Sequence, residues 1–290
     1  MISSVITLPD GRWLRWHEFG DLGGAPVIYT AGTPVSGLGG RFYDEPARAA
    51  GLRWISPDKP GYGGSDYQRK RTVVGWADDL AALARHLGLE RFALAGESGG
   101  GPFTLAAAHQ LADQVSVVAL IAPSGHRDPA ERADPAERAS VLVRLRVMFW
   151  LARYAPLLNA LPLAAMRREL LNPGRRGRSL QRELAAAPPA AQAGLRIEFE
   201  AVADALRPWT RAAVQETALL TRPWGFPLRG VKTPVHLWQG ALDRNVPVAS
   251  SRRLARALPD ATLHVSDSST HDVGRDRSGE IMSVLATYAK

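Results

Sequence analysis

Short apolar runs alternate with stretches of helical periodicity along most of the chain. Residues 4–20 alternate apolar and polar side chains on both sides of a Pro-Asp-Gly turn, which predicts a β-hairpin. Six later apolar runs have the length of buried strands: 25–32, 52–61, 91–98, 115–123, 233–240 and 261–267. Helical patterns separate several of these runs, at 73–88, 102–112 and 249–258. This rhythm predicts an α/β fold with a mostly parallel sheet and helices on both faces.

Residues 126–228 break this rhythm. They show no strand pattern, are rich in alanine, leucine and arginine, and contain many prolines. A structureless loop of this length is uncommon in a compact domain, so we expect a helical cap domain inserted into a core domain of residues 1–125 and 229–290. Inside the cap, the stretch VLVRLRVMFWLARYAPLL fits either the wall of an apolar acyl pocket or the packing face of a helix.

Composition narrows the classes of function. The chain has 290 residues, a net charge of +8 and no cysteine, which excludes a thiolate nucleophile, a cysteine metal site and a disulfide framework. The arginines are scattered, with no basic run interleaved with aromatic residues, so we expect no nucleic-acid partner. No apolar run approaches the length of a membrane span, and the N-terminus lacks the features of a secretion signal. We expect a cytoplasmic protein with a small-molecule substrate and no membrane partner; the sequence does not indicate an oligomeric state.

One serine lies among glycines directly after an apolar run. Residues 96–100 read Gly-Glu-Ser-Gly-Gly, which fits G-x-S-x-G, and a strand pattern precedes them while a helix pattern follows. A sharp strand-to-helix turn strains its central residue, and glycines on either side let neighbouring backbone approach closely. We interpret Ser98 as a nucleophile at the carboxyl edge of the sheet. The alternative is a glycine-rich helix start without chemistry.

A serine hydroxyl needs a base, and the base needs an orienting carboxylate. In a strand-turn-helix context of this kind, the chain order is serine, carboxylate, histidine. Asp243 and His271 come just after the last two predicted strands, in that order, so we expect them at the same sheet edge as Ser98. The other candidates are carboxylates that flank this histidine and histidines inside predicted strands: Asp267, Asp272, His236 and His264.

Acyl transfer also requires donors for the negative oxygen of the tetrahedral intermediate. One donor is expected to be the backbone N–H of the residue after the nucleophile, Gly99, and the other an N–H of the loop after the third strand. That loop reads TAGTPVSG, and we expect its donor to be Thr33. The alternative is a tight turn whose glycine and proline only reverse the chain.

These motifs together resemble the α/β-hydrolase superfamily over nearly the whole chain. The carrying stretches are AGTPVSG, SPDKPGYGGSD, GESGGGPFTLAAAHQLADQVSVVALIAPSG, GALDRNVP and the late THD. The resemblance implies an eight-stranded sheet, a helical cap at 126–228, no cofactor or metal, and Ser98, Asp243 and His271 as the catalytic triad. Many relatives begin the loop after the third strand with His-Gly, whereas this chain has Ala31 before the glycine, and Val35 occupies a position where glycine is expected.

A serine at this turn favours acyl transfer to water, since relatives that cleave epoxides or carbon-halogen bonds have a carboxylate there. We expect a serine hydrolase that acts on a small, largely apolar carboxylic ester or lactone. One alternative is an aminopeptidase like the proline iminopeptidases, in which Glu198, Glu200 and Asp204 would hold the substrate ammonium group. Another is a non-hydrolytic member of the superfamily, either ligand-binding or cyclase-like.

Overall fold

One eight-stranded sheet lies at the centre of the computed structural model, which describes residues 1–125 and 141–288. The strands are β1 (Ile2–Thr7), β2 (Trp13–Gly20), β3 (Ala25–Thr30), β4 (Leu52–Pro57), β5 (Phe92–Glu97), β6 (Val115–Ile121), β7 (Val235–Gly240) and β8 (Ala261–Ser266). Their spatial order is β1-β2-β4-β3-β5-β6-β7-β8. β2 pairs antiparallel with β1 and β4, and all other neighbours are parallel. The predicted hairpin and mostly parallel sheet are confirmed.

Helices cover both faces of this sheet, as the strand and helix rhythm predicts. Outside the segment between β6 and β7 they are α1 (Asp44–Ala49), α2 (Trp76–His86), α3 (Gly101–Gln110), α9 (Val248–Ala257), α10 (Val273–Asp276) and α11 (Ser278–Tyr288). Alternate strand residues point to opposite faces. Ile28 and Leu94 therefore pack with α2, α3 and α9, whereas Tyr29 and Ala95 pack with α1 and α11.

The described residues between β6 and β7 contain five α-helices and no strand. These are α4 (Val143–Tyr154), α5 (Ala160–Leu171), α6 (Pro173–Ala186), α7 (Pro189–Ala205) and α8 (Arg211–Leu220), which we call the helical insertion. A buried cluster that includes Leu163, Leu170 and Leu206 packs against Tyr62 of the core. Residues 126–140, the first part of the predicted cap, lie outside the described residues, and the division into two domains stays a prediction.

No described helix has both the length and the apolar composition of a membrane-spanning segment.

Helix α7 is bound to the core through arginines. The pairs are Glu198 with Arg275 at 3.1 Å, Glu200 with Arg41 at 3.2 Å, and Asp204 with Arg15. The first two pairs are half exposed, and such pairs contribute little to stability, but Asp204 is buried. All three acidic residues that the sequence offers for a substrate ammonium group therefore have a cationic partner within the protein.

A glycine at the end of β7 lets two loops of the sheet edge come together. A Cβ atom on Gly240 would overlap the carbonyl oxygens of Ser269 and Thr270. The loop after β8 can therefore pass directly against the end of β7. Ala241 donates its N–H to the carbonyl of Ser266 at the end of β8 at 2.9 Å, and Leu242 donates to the carbonyl of Ser269 in that loop at 3.1 Å. This close approach brings the segment before His271 beside the segment before Asp243.

We predict that Gly240→Ala lowers the free energy of unfolding by about 1–3 kcal/mol, because the loop after β8 must move to make room. Gly279→Ala is the matched control: it lies in α11, has no atom within 4 Å of the added Cβ, and should be neutral or stabilising by up to about 1 kcal/mol. Urea unfolding of both variants checks this. Equal unfolding free energies would contradict the close approach of the two loops.

Candidate active site

Ser98 lies at the sharp turn between β5 and α3. Its φ is +49°, in the left-handed region that a residue with a Cβ rarely adopts. A Cβ on Gly96 would overlap the Thr104 hydroxyl of α3, and one on Gly100 would overlap the carbonyl of Thr30 at the end of β3. Both glycines are therefore required by close packing around the turn. Ser124, which follows β6, donates its N–H to the Ser98 carbonyl at 2.8 Å and so stabilises the turn.

The structure brings together the three residues that chain order selects. His271 Nε2 lies 3.1 Å from Ser98 Oγ, and His271 Nδ1 lies 2.7 Å from Asp243 Oδ2. The Asp243 carboxylate also accepts hydrogen bonds from Gln239 Nε2 at 2.9 Å and from the N–H groups of Asn245 and Val246 at 2.7 and 2.9 Å. These donors fix the carboxylate, so a continuous line of hydrogen bonds runs from Asp243 to Ser98.

The other candidate residues lie elsewhere. His236 and His264 are on β7 and β8 and contact each other, with 3.2 Å between Nδ1 and Nε2. Asp272 pairs with Arg275 at 3.3 Å, and Asp267 is exposed. None of the four makes a hydrogen bond to Ser98 or His271 within the described residues.

Electrostatics favour a proton on Nδ1 of His271. Burial alone would lower the pKa of His271, but the hydrogen bond and charge of Asp243, with smaller contributions from Glu97 and Asp272, raise it above its ordinary value. Burial would raise the pKa of Asp243, yet His271 and the two backbone N–H groups hold it below its ordinary value. An ionised Asp243 that accepts from Nδ1 leaves Nε2 with a lone pair for the Ser98 hydroxyl proton.

Glu97, beside the nucleophile, has a role that the sequence does not reveal. Its side chain makes no helix-capping hydrogen bond. Instead the buried hydroxyl of Tyr29 donates to its carboxylate, and Tyr43 does so at 3.1 Å. The negative charge of Glu97 adds to the effect of Asp243 on the pKa of His271. Glu97 therefore links the hydroxyl ends of two core tyrosines to the electrostatics of His271.

The loop after β3 lies directly against the nucleophile. The Cβ position of Gly32 is 3.3 Å from Ser98 Cβ, and a Cβ on Gly99 would overlap the Thr33 hydroxyl. Among the described residues, no group accepts a hydrogen bond from the N–H of Thr33. Both expected oxyanion donors, Thr33 and Gly99, are thus adjacent to each other and to Ser98.

Lys59 binds the backbone of this loop. Its Nζ donates to the carbonyls of Ala31 and Gly32 at 2.9 and 3.1 Å. The bond between Gly32 and Thr33 is trans, so its C=O and N–H point in opposite directions. Lys59 and the N–H of Val35, which donates to the same Gly32 carbonyl at 3.0 Å, together keep the Thr33 N–H pointing away from Lys59. Lys59 is the second residue of the DKPGYGGSD motif, and nothing in the motif indicates this contact.

The fully buried carboxylate of Glu216 in α8 contacts both Lys59 and Thr33. Lys59 Nζ lies 2.5 Å from Glu216 Oε1, which also accepts from the Thr33 hydroxyl, and Arg71 lies 2.6 Å from Oε2. Burial lowers the pKa of Lys59 to about 8, although Glu216 opposes this, so the ammonium persists at neutral pH. The pKa of Glu216 stays below its ordinary value despite burial, because two cations face it. The helical insertion is therefore tied to the loop of Thr33.

One group among the described residues has the geometry of a metal site. Ligand-type atoms of His17, Asp58 and Asp204 lie within 4.8 Å of one another. Arg15, however, donates Nε to Asp58 at 2.5 Å and a second nitrogen to Asp204. Burial, with the charge of Arg15, lowers the pKa of His17 to about 4. The Arg15 guanidinium already pairs with both carboxylates, and a metal ion would have to displace it.

Comparisons with known proteins agree with this architecture. A family model described as the alpha/beta hydrolase fold matches residues 37–274. Among solved structures, an esterase from Exiguobacterium antarcticum is 17% identical with a TM-score of 0.71, and the match covers 99% of each chain. The enol-lactonase from Burkholderia xenovorans LB400 is 18% identical with a TM-score of 0.67, over 98% of this chain and 99% of that chain. At identities this low, the structural similarity shows a shared fold alone.

One curated relative is more similar over a shorter stretch. The dihydrolipoyllysine-residue acetyltransferase component of an acetoin cleaving system from Pseudomonas putida is 37% identical over 123 residues. The match covers 40% of this chain and 31% of the relative, so this chain spans about a third of that protein's length.

We predict that Lys59→Met lowers the kcat of hydrolysis about tenfold or more, with a smaller change in KM, because the loop that carries the Thr33 N–H loses the lysine that binds its carbonyls. Loss of one partner of a buried pair should also lower the free energy of unfolding by about 3 kcal/mol. Lys70→Met, at an exposed lysine, is the control and should change neither quantity. A folded Lys59→Met protein with unchanged kcat would show that the lysine only stabilises the fold.

Proposed function

The chain belongs to the alpha/beta hydrolase fold family, and on that basis we propose that it is a serine hydrolase of small, largely apolar carboxylic esters or lactones. The observation that carries the proposal is the hydrogen-bonded line from Asp243 through His271 to Ser98. Ser98 has a strained backbone at the sheet edge, a base within hydrogen-bond reach and a carboxylate that orients the base. This combination serves nucleophilic attack on an acyl carbon.

In the first half of the reaction, His271 Nε2 takes the Ser98 proton while Oγ attacks the carbonyl carbon. The N–H groups of Thr33 and Gly99 stabilise the negative oxygen that forms. His271 then gives the proton to the departing alkoxide oxygen, which leaves an acyl ester on Ser98 and an alcohol. With a lactone, this alcohol stays attached to the acyl chain.

In the second half, water replaces the alcohol. His271 takes a proton from the water, whose oxygen attacks the acyl carbon, and the same two N–H groups stabilise the second negative oxygen. Collapse releases the carboxylic acid and returns the proton to Ser98 Oγ. Throughout, Asp243 stabilises the imidazolium and keeps its Nδ1–H oriented.

The charges around the site favour a neutral substrate over an amino-acyl one. Glu198, Glu200 and Asp204, which would hold a substrate ammonium group in an aminopeptidase, each pair with an arginine of the core. An apolar side chain, Leu220 of α8, lies against Gly99. These observations support the ester or lactone reading over the aminopeptidase alternative.

The contacts of Lys59 bear on the non-hydrolytic alternative. That alternative rests on the altered loop after β3, in which Ala31 replaces the histidine of many relatives. In this chain, Lys59 binds the carbonyls of Ala31 and Gly32 and so orders the loop from the other side. This support favours a competent oxyanion site.

A fluorophosphonate should add once to the wild-type protein and not to Ser98→Ala, because the probe reacts with an activated serine whatever the natural substrate is. Intact-mass measurement reads the adduct, and hydrolysis of a panel of aryl esters and lactones should disappear in the same variant. A folded wild-type protein that stays unlabelled would favour the ligand-binding or cyclase-like alternative.

The pH dependence should reflect His271. Only the neutral imidazole can take the Ser98 proton, so kcat/KM should fall as pH drops through the pKa of His271, with a midpoint above the ordinary histidine value of 6.5. Asp243→Asn removes the charge that raises this pKa, and should lower the midpoint and reduce kcat about 10⁴-fold. An acidic limb below the ordinary value in the wild type, or the same midpoint in Asp243→Asn, would argue against this assignment.

A further inference from the structure

Helix α4 carries apolar side chains on the face that points away from the protein. Val143, Val147, Trp150 and Tyr154 recur at the spacing that places residues on one side of an α-helix. Trp150 is 58% exposed and Tyr154 70%, and their rings contact each other at 5.6 Å between centroids. The opposite side, at Ala152, is fully buried. The apolar stretch predicted as a pocket wall or packing face therefore also has an outward apolar face.

Several residues that follow α4 are also apolar and exposed. Leu157 is 86% exposed, and Leu158 and Leu161 are also exposed. We call the whole set the apolar surface: Val143, Val147, Trp150, Tyr154, Leu157, Leu158 and Leu161. Single exposed apolar residues are normal in proteins, but a run of this kind marks an interaction site.

The charged residues of the stretch that contains the apolar surface all have one sign. Residues 141–168 contain arginines at positions 144, 146, 153, 167 and 168 and no aspartate or glutamate. On a helical projection, Arg144 lies on one side of the outward face of α4, and Arg146 and Arg153 lie on the other. All three are exposed. Aromatic and aliphatic side chains bordered by arginines are the pattern of a helix that lies in the headgroup region of a membrane.

We propose that the apolar surface docks this protein onto the surface of a membrane that contains anionic lipid. A second copy of the chain fits less well, because a two-fold symmetric contact through this face would bring two sets of arginines together, and residues 141–168 offer no carboxylate to pair with them. An anionic bilayer instead offers negative headgroups to Arg144, Arg146 and Arg153 and acyl chains to Trp150 and its neighbours.

The docked orientation would bring the candidate active site close to the lipid. Leu142 N–H donates to the carbonyl of Arg244 at 3.0 Å, so α4 begins beside the residue that follows Asp243.

The proposal departs from the sequence expectation of no membrane partner. Apolar periodicity identifies an apolar face, but it does not tell whether that face lies outward. The docking proposal stands on the surface alone and does not require that the protein be a hydrolase.

Flotation with lipid vesicles tests the proposal. The wild-type protein should float with vesicles of phosphatidylcholine mixed with phosphatidylglycerol, much less with phosphatidylcholine alone, and less as salt is added. Trp150→Ser should weaken partition onto the mixed vesicles about tenfold. The double variant Arg144→Glu with Arg146→Glu should weaken it by at least about tenfold.

The matched controls change residues that lie outside the stretch 141–168. Trp13→Ser replaces a tryptophan on β2 that is 59% exposed, and Arg85→Glu with Arg91→Glu reverses two exposed arginines near α2. Both controls should float like the wild type, and circular dichroism with thermal unfolding should show that every variant is folded.

Three results would overturn the proposal. The first is no flotation with either vesicle, and the second is flotation that the α4 variants and the controls lower equally. The third is evidence for another occupant. A dimer in sedimentation that Trp150→Ser dissociates would assign the surface to a second copy of the chain. Binding of polyglutamate without vesicle binding would assign it to an acidic protein. Loss of fluorophosphonate labelling would affect the proposed hydrolase function and leave this test unchanged.

Discussion

The buried ion pair between Lys59 and Glu216 is the interaction on which the candidate site depends most. Two charges removed from water carry a large desolvation cost, which only good geometry and further hydrogen bonds offset. Here Lys59 has two backbone carbonyls as additional acceptors, and Glu216 has Arg71 as a second cation. Because Lys59 follows β4 and Glu216 lies on α8, the pair holds the loop of Thr33 between the core and the helical insertion.

Sheet order sets a second constraint. Ser98, Asp243 and His271 follow β5, β7 and β8, so His271 starts three strands away from the serine that it contacts. The loop after β8 must therefore cross the end of β7, and it can do so only because Gly240 has no Cβ. A residue without functional groups thus decides whether the imidazole reaches Ser98.

The fold was predictable from local pattern, and the polar support of the site was not. Each predicted strand is confirmed, because a buried strand shows its apolar run within a few residues. Ser98 followed from the G-x-S-x-G motif between a strand and a helix pattern, and Asp243 and His271 followed from chain order in a parallel sheet; their catalytic roles stay predictions. Glu216 is 157 residues from Lys59, and a single carboxylate on a helix carries no local sign of such a partner. The same limit applies to Glu97, whose tyrosine partners lie on β3 and just before α1.

The arrangement of charge also bears on which step of the chemistry the protein stabilises. The acidic residues of α7 are paired with core arginines, and the Glu97 carboxylate is held by two tyrosine hydroxyls. Under the proposed hydrolase function, a neutral acyl group beside Leu220 and Gly99 would therefore lack a strong ionic contact with these residues in its ground state. Negative charge that develops on its oxygen would lie next to the loop that Lys59 binds, where Thr33 and Gly99 are the expected N–H donors. Interactions that become strong only as this charge forms lower the barrier without tightening substrate binding.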